Sequence, residues 1–400
     1  MTPEIKERIK TIQAGHVPDD YKRSKIGIVP VEWSDYSFSS LFVDHSDYTE
    51  NLDEFPLYSL TIEDGVTKKT ERYERGHLVK KDEAYKKVFP NDFVYNPMNV
   101  RFGAVARHKG TSVVSVSGYY DTFSTLVHSD MFFMDYFLVS EKMISYYNAM
   151  STGSLVEKQR VHYSQFKDFC LPLPSEPERI KIAEILSTQD KIIKLKEKLL
   201  EQKQEQKKYL VKKIMFASDE HNAVLADIID LISIRSCASQ NCYVSTENMI
   251  SNYGGIIFSE EGQIVEGIAF RKDDILVGNI RPYLKKVWRA SIDGVCSADV
   301  LVFRAKKAIP LYLYYLVAND TFCEYVMNGV KGTKMPRGDK KQILQMPLFI
   351  PPISEQQTIA EVLSTADKEI DLLKAEIEQE KLKKKSLMQL LLTGIVRVKV

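Results

Sequence analysis

The stretch Asn96–Pro97–Met98 comes nearest to a catalytic motif in this 400-residue chain. Methyl transfer to adenine needs an Asn-Pro-Pro-aromatic segment and a Gly-rich cofactor loop, and here the second proline and the aromatic are missing. Gly332 and Gly338 come near the glycine spacing of a phosphate loop, but five residues rather than four separate them and Asp339 stands where the loop requires a lysine to reach the phosphates. No HExxH or paired histidines offer a metal site. The five cysteines, Cys170, Cys237, Cys242, Cys296 and Cys323, form no CxxC pair and have no histidine at zinc spacing, so they read as reduced thiols, mostly core. Fifty-four acidic residues supply acid–lysine triads by chance, so no nuclease triad can be singled out. The chain reads as non-catalytic, and its chemistry as recognition.

Recognition needs rigid elements, and the chain is long enough for two domains that each bury a core. Hydrophobic residues at 44% and charged residues at 27% are an ordinary globular composition, with no apolar run near the roughly 18 residues of a membrane span. The opening MTPEIKERIK is charged and lacks the apolar core of a signal peptide, so the expected location is cytoplasmic. The net charge of +1 excludes a sequence-blind polycation. Basic residues are in excess only over 171–217, with 11 Lys+Arg against 7 Asp+Glu.

An internal repeat is the strongest signal. Residues 178–191, ERIKIAEILSTQDK, recur 177 positions later as 355–368, EQQTIAEVLSTADK, with nine of fourteen identical. Leu186, Ile193, Leu200 and Ile214 lie at sevens, as do Leu363, Ile370, Ile377 and Leu391, and the remaining member is a lysine in both copies, Lys207 and Lys384. Flanking apolar residues widen each series into the stripe of a long amphipathic helix whose other faces are Lys, Glu and Gln. Pro174 and Pro177 precede the first helix, Pro351, Pro352 and Ser354 the second, and Thr393–Gly394 is a plausible stop. A helix from 178 to 215 would be roughly 57 Å long at 1.5 Å per residue, and two such helices can bury their stripes against each other as a coiled coil.

The repeat extends into the segments between. GYYDTFSTLV (118–127) resembles GVCSADVLVF (294–303), and NDFVYNPMNVRFG (91–103) shares with KDDILVGNIRPYL (272–284) an acidic turn, a β-rich run, an Asn and then an Arg. The chain is two copies of one unit, a mixed α/β domain followed by a long helix.

That alternation resembles the specificity subunit of Type I restriction-modification systems. LPLPSEPERIKIAEIL (171–186), MPLFIPPISEQQTIAEVL (346–363) and the ending LLLTGIVRV (390–398) carry the likeness, and IVPVEWSDYSFSSLF (28–42) is similar to the family's opening of a recognition domain. Glu178–Arg179 departs from the family's usual Glu-Gln, which reads as drift. The resemblance implies an α+β fold: two mixed α/β target recognition domains separated by two long helices packed as an antiparallel coiled coil, in a pseudo-twofold internal repeat. The first recognition domain is expected over 1–172, the first helix over 173–217, the second domain over 218–347 and the second helix over 348–400. It further implies that each domain reads one half of a split site on double-stranded DNA, with a helical spacer fixing a separation near a helical turn, about 34 Å, or somewhat more. Two methyltransferase (M) subunits and restriction/motor (R) subunits would be the partners, with no membrane. No cofactor is expected in this chain; S-adenosylmethionine, ATP and Mg belong to the partners. Two alternatives stay open: a coiled-coil scaffold with two protein-binding domains, and the specificity chain of a fused nuclease-methyltransferase system.

Reading bases requires hydrogen bonds in a groove, with phosphate contacts setting the register. For that role the first domain offers Lys68, Lys69, Arg72, Arg75, Arg101, Arg107, Lys109, Lys158 and Arg160, and the second offers Arg281, Lys285, Lys286, Lys331, Lys334 and Arg337. Arg160 and Arg337 are equivalent at the 177-residue offset. His108 could touch phosphate. Tyr119, Tyr120, Tyr146, Tyr147, Tyr312, Tyr314 and Tyr315 sit mostly in periodic apolar runs and are expected to pack in the core rather than stack on bases.

Overall fold

A computed structural model describes residues 2–68, 85–155, 159–216, 220–330, 332 and 334–399. Two compact units emerge, one of residues 1–195 with 377–400 and one of residues 196–376. Each unit takes a globular domain and half of both long helices.

In the first unit, Asp92 begins the sheet. Its carboxylate accepts from the Phe89 backbone N–H at 3.0 Å, and the chain turns into the strand Phe93–Tyr95. That strand lies between Val105–Arg107 and Asp121–Thr125, with Phe42–His45 completing an antiparallel sheet of four. The second unit repeats the device. Asp274 accepts from Arg271 N–H at 2.8 Å, and the strand Ile275–Gly278 sits between Val287–Arg289 and Val300–Ala305, with Ile229–Ile232 on the outside. Strand order is the same in both. The equivalence differs slightly from the sequence likeness: Gly294–Cys296 corresponds in sheet position to Val114–Val116, not to the segment at Gly118, because the connecting turns differ in length.

Aromatic residues fill the first core. Phe42, Phe93, Phe123 and Phe166 are buried together, with the Phe93 and Phe123 rings stacked at 5.4 Å. Tyr146, Tyr147, Tyr312 and Tyr315 are buried as expected, whereas Tyr119 is exposed. Of the cysteines only Cys296 and Cys323 are buried, and Cys237 is exposed, so the core reading fails for the others. Among the described residues no helix is long and apolar enough to cross a membrane.

The long helices span Glu176–Met215 and Ile353–Leu391. Pro177 and Ser354 therefore lie inside first turns, where a proline has no hydrogen bond to lose. The helices pack antiparallel. In the first unit Gln189 donates to Glu380 at 2.7 Å and Lys384 meets Asp190; in the second, Lys196 meets Glu376, Lys203 meets Glu369 and Lys207 meets Asp367, so positions rise on one helix as they fall on the other. The Lys196–Glu376 and Lys203–Glu369 pairs are solvent-exposed and worth at most about 1 kcal/mol each. The buried seam of Leu186, Ile193, Leu363, Ile370 and Ile377 carries more of the stability. Ile214 leaves the stripe and is exposed, because in its last turn the first helix faces the second domain's core through Val211 and Met215 instead.

The second helix ends where Thr393–Gly394 suggested. Gly394 has φ +69°, and a Cβ there would lie 2.4 Å from the Pro30 ring. Tyr21 donates to its carbonyl at 2.7 Å. Gly394→Ala is expected to destabilise the first unit by about 2 kcal/mol or more through backbone strain and overlap, read as a lowered thermal midpoint; an unchanged midpoint would refute this account of the turn.

Candidate nucleic-acid interface

Two loops in each unit bring basic residues together. In the first, the chain leaves strand Phe93–Tyr95 at Asn96, whose buried side-chain oxygen accepts from the backbone of Met98 at 3.1 Å and folds the loop. Arg101 then projects beside Phe102, 4.5 Å from the ring centroid, and donates to Gln159 Oε1 at 3.0 Å. Gln159 adjoins Arg160, whose backbone bridges Thr152 just before the helix Tyr163–Lys167. The Arg160 side chain is half-buried.

The second unit makes the same junction. Past strand Ile275–Gly278, Ile280 bridges Arg337, and the Arg281 N–H donates to the Pro336 carbonyl at 2.7 Å, just before the helix Lys340–Leu344. Arg337 meets Asp299 at 3.0 Å, and Arg281 is exposed. Arg281 and Lys285 adopt φ of +49° and +54°, which non-glycine residues hold only where the surroundings enforce it and which cluster at functional sites. Lys334 is exposed in the same loop. Sequence reasoning named the arginines but missed Gln159 and Asn279, since amides carry no signal until a loop places them. The Asn279 side-chain oxygen, buried two residues before Arg281, has no partner among the described residues.

The other candidates scatter. Lys68 ends the hairpin Tyr58–Thr61/Gly65–Lys68 and is exposed. Lys109 is 69% exposed and 3.6 Å from Asp135. Lys285 is held by Asp320 at 2.7 Å and Lys286 by the Thr246 carbonyl at 2.6 Å. Lys69, Arg72, Arg75, Lys158 and Lys331 lie outside the described residues. Two expectations are corrected. Arg107 donates to Asp135 through Nε and Nη2 and to Asn91 through Nη1, leaving its side chain 10% exposed, so it ties strand to helix and is not available to phosphate. His108 is buried, with Nε2 2.8 Å from the Ser112 carbonyl oxygen.

A cleft of about 430 Å³ lies beside Arg107 and Lys109, but Glu63, Asp64, Asp135 and Asp190 also line it and offset their charge. Lys384 lines it too, so three basic side chains face four acidic ones and the cleft carries no net positive charge. Nor does the first unit's Ser–His–Asp contact work as a relay. His45 Nε2 is 2.8 Å from Ser124 Oγ and 3.5 Å from Asp92, whereas a triad uses opposite ring nitrogens. Burial pushes the Asp92 carboxyl above its usual range. Among the described residues no group of three His, Cys, Asp or Glu is placed to hold a metal.

Arg179 is no mere drift. It is buried and grips Asp130 through Nε at 2.7 Å and Nη2 at 2.9 Å, while Nη1 donates to the Pro174 carbonyl. Its repeat equivalent, Gln356, donates to the Pro351 carbonyl and accepts from the Ile309 N–H. Both pin a domain's helix to the entry of a long helix; the arginine does so with a matching carboxylate.

Residues 238–381 match the family model of the Type I restriction modification DNA specificity domain. The chain is 26% identical over 270 residues to the Type I restriction enzyme MjaVIII specificity subunit of Methanocaldococcus jannaschii, an alignment covering 58% of this chain and 64% of that protein. The chain thus spans just under two thirds of that relative's length. In fold it is similar to the Type I restriction-modification S subunit from M. genitalium, with a TM-score of 0.51 at 15% identity over 92% of this chain and 97% of that one. A chain from a structure titled for complex assembly and conformational transition of the type I R-M system gives 0.56 at 12% identity, over 95% and 99%. With the same sheet order and loop junction built twice, two long antiparallel helices, and a match to the DNA specificity domain over 238–381, the chain is similar to the specificity subunits of Type I restriction-modification systems.

Proposed function

We propose that this chain selects a two-part sequence on double-stranded DNA for partner enzymes and catalyses nothing itself. Each globular domain reads one half-site, the helix pair keeps the halves apart, and an unread gap lies between. The observation that carries this reading is the repeated junction: Arg101 with the Gln159–Arg160 segment, and Arg281 with the Pro336–Arg337 segment, the same two loops meeting in two diverged domains. Divergence of the domains makes the two half-sites unlike. Two methyltransferase subunits dock on the helices, where the repeat equivalents Leu195 and Leu372 stand 67% and 66% exposed, and restriction subunits join them. S-adenosylmethionine, ATP and Mg act in those partners, and the complex works in the cytoplasm.

Sequencing the methylated bases of a host that expresses this chain with its methyltransferase subunit tests the reading. A split adenine-methylated motif with unlike halves and a fixed gap is the expected result; no new motif despite an assembled complex would count against it and favour a scaffold. Within the interface, Arg281→Gln with Lys334→Gln should weaken binding about 10- to 100-fold and reduce the slope of log affinity against log salt by about 1 to 2, with the first half-site still read. Fluorescence anisotropy over a salt series measures both, and an unchanged slope would remove these residues from the interface.

A further inference from the structure

One three-residue cluster is built twice and is not used by the interface just described. In the first unit Lys384 Nζ, from the second long helix, lies 2.6 Å from Asp190 Oδ1 on the first. Asp190 also accepts at 2.7 Å from the hydroxyl of Tyr136, in the domain helix Asp130–Phe137, and Lys384 stands 5.6 Å from the centre of that ring. In the second unit Lys207, from the first long helix, pairs with Asp367 on the second, Asp367 accepts at 2.7 Å from Tyr315 of the helix Pro310–Val317, and Lys207 lies 5.4 Å from that ring centre.

Asp190 and Asp367 are repeat equivalents, as are Lys207 and Lys384, and these lysines are the polar members of the two seven-residue stripes. A leucine would bury more apolar surface at such a position. A polar residue in a helix seam lowers stability and fixes register, because slipped arrangements leave it without a partner. The apolar seam tolerates sliding by one seven-residue repeat, whereas the Lys–Asp pairs do not. Each tyrosine adds direction. Burial and the neighbouring carboxylate push both phenols above their ordinary range, so the hydroxyl stays a donor, and its bond fixes how the domain helix sits on the pair.

We propose that the two Lys–Asp–Tyr clusters are positioning devices that lock the axial register of the helix pair and the seating of each domain on it. The consequence for gap length rests on the two-half-site reading above; the register lock does not.

The test uses the full chain carrying genetically encoded spin labels at the exposed positions 198 and 374, with wild-type residues, with Lys207→Leu/Lys384→Leu, and with Lys207→Arg/Lys384→Arg. The wild type and the arginine variant are expected to give one narrow distance. The leucine variant, with a thermal midpoint equal or higher, is expected to add a second population displaced by about 10.5 Å along the axis, one seven-residue step. A single unchanged distance in the leucine variant overturns the lock. In complex with methyltransferase subunits, on duplexes whose gap is one base pair short, correct or one long, the leucine variant and Tyr136→Phe/Tyr315→Phe should each lose at least tenfold of the wild-type preference for the correct gap while keeping both half-sites. Preserved gap preference in both variants overturns the proposal's consequence for DNA. A wild-type complex indifferent to the gap overturns the two-half-site reading instead, and the spin-label result then judges the lock alone.

Discussion

Arg179→Gln is expected to destabilise the first unit by about 3–5 kcal/mol, the cost of leaving a buried carboxylate without its partner. Arg179 and Asp130 are 4% and 3% exposed, and 49 residues of chain separate them. Water cannot reach Asp130 to replace the lost bonds, so the glutamine that serves at position 356 fails at 179 by itself. In a unit of this size the shift in thermal midpoint should be on the order of 10 °C. Adding Asp130→Asn removes the stranded charge and should recover most of the loss, so the double variant lies well above the sum of the singles. Urea melts of the four proteins measure the cycle. A single Arg179→Gln variant within 1 kcal/mol of wild type would show that the pair is dispensable and that the departure from Glu-Gln is drift after all.

The second large effect concerns the helix pair. Lys196 faces Glu376 and Lys203 faces Glu369, so positions 197 and 375 lie near the middle of the antiparallel seam. Seven residues inserted after Glu197 and seven after Lys374, keeping the apolar period, lengthen the pair by about 10.5 Å, close to the rise of about three base pairs. The recognised sequence should keep both half-sites and gain base pairs in its unread gap, as motif sequencing of the methylated host would report. Insertion in one helix alone should abolish recognition, because each Lys–Asp pair on one side of the insertion loses its register. Altered half-sites with an unchanged gap would sink the ruler model.

Much of this architecture was legible from periodicity. The fourteen-residue repeat and the sevens of Leu186, Ile193, Leu363 and Ile370 imply two long helices with facing apolar stripes, and the helices run over 176–215 and 353–391. Lys207 and Lys384 stood out as the polar interruption, although nothing local told which acids they meet. Arg160 and Arg337 could be matched by the 177-residue offset alone, and each stands just before a short helix in the fold. Arg107 and His108 were misjudged, since a basic residue after a Gly-bearing loop looks solvated until Asp135 closes over the one and the Ser112 carbonyl over the other.

What the amino-acid order alone determined, then, is whatever depends on short-range spacing: the duplicated unit, the helices with their seam, and the acidic turns that launch the central strands at Asp92 and Asp274. Those follow from backbone geometry, in which side chains three, four and seven apart share a helix face. Tertiary structure decided the partners: Arg179 with Asp130, Lys384 with Asp190 and Tyr136, Arg101 with Gln159. A charge has the same identity in solvent, in a buried pair or at a DNA-facing loop, and its role is set by burial and by the group that distant chain brings within 3 Å, neither of which its neighbours in sequence encode.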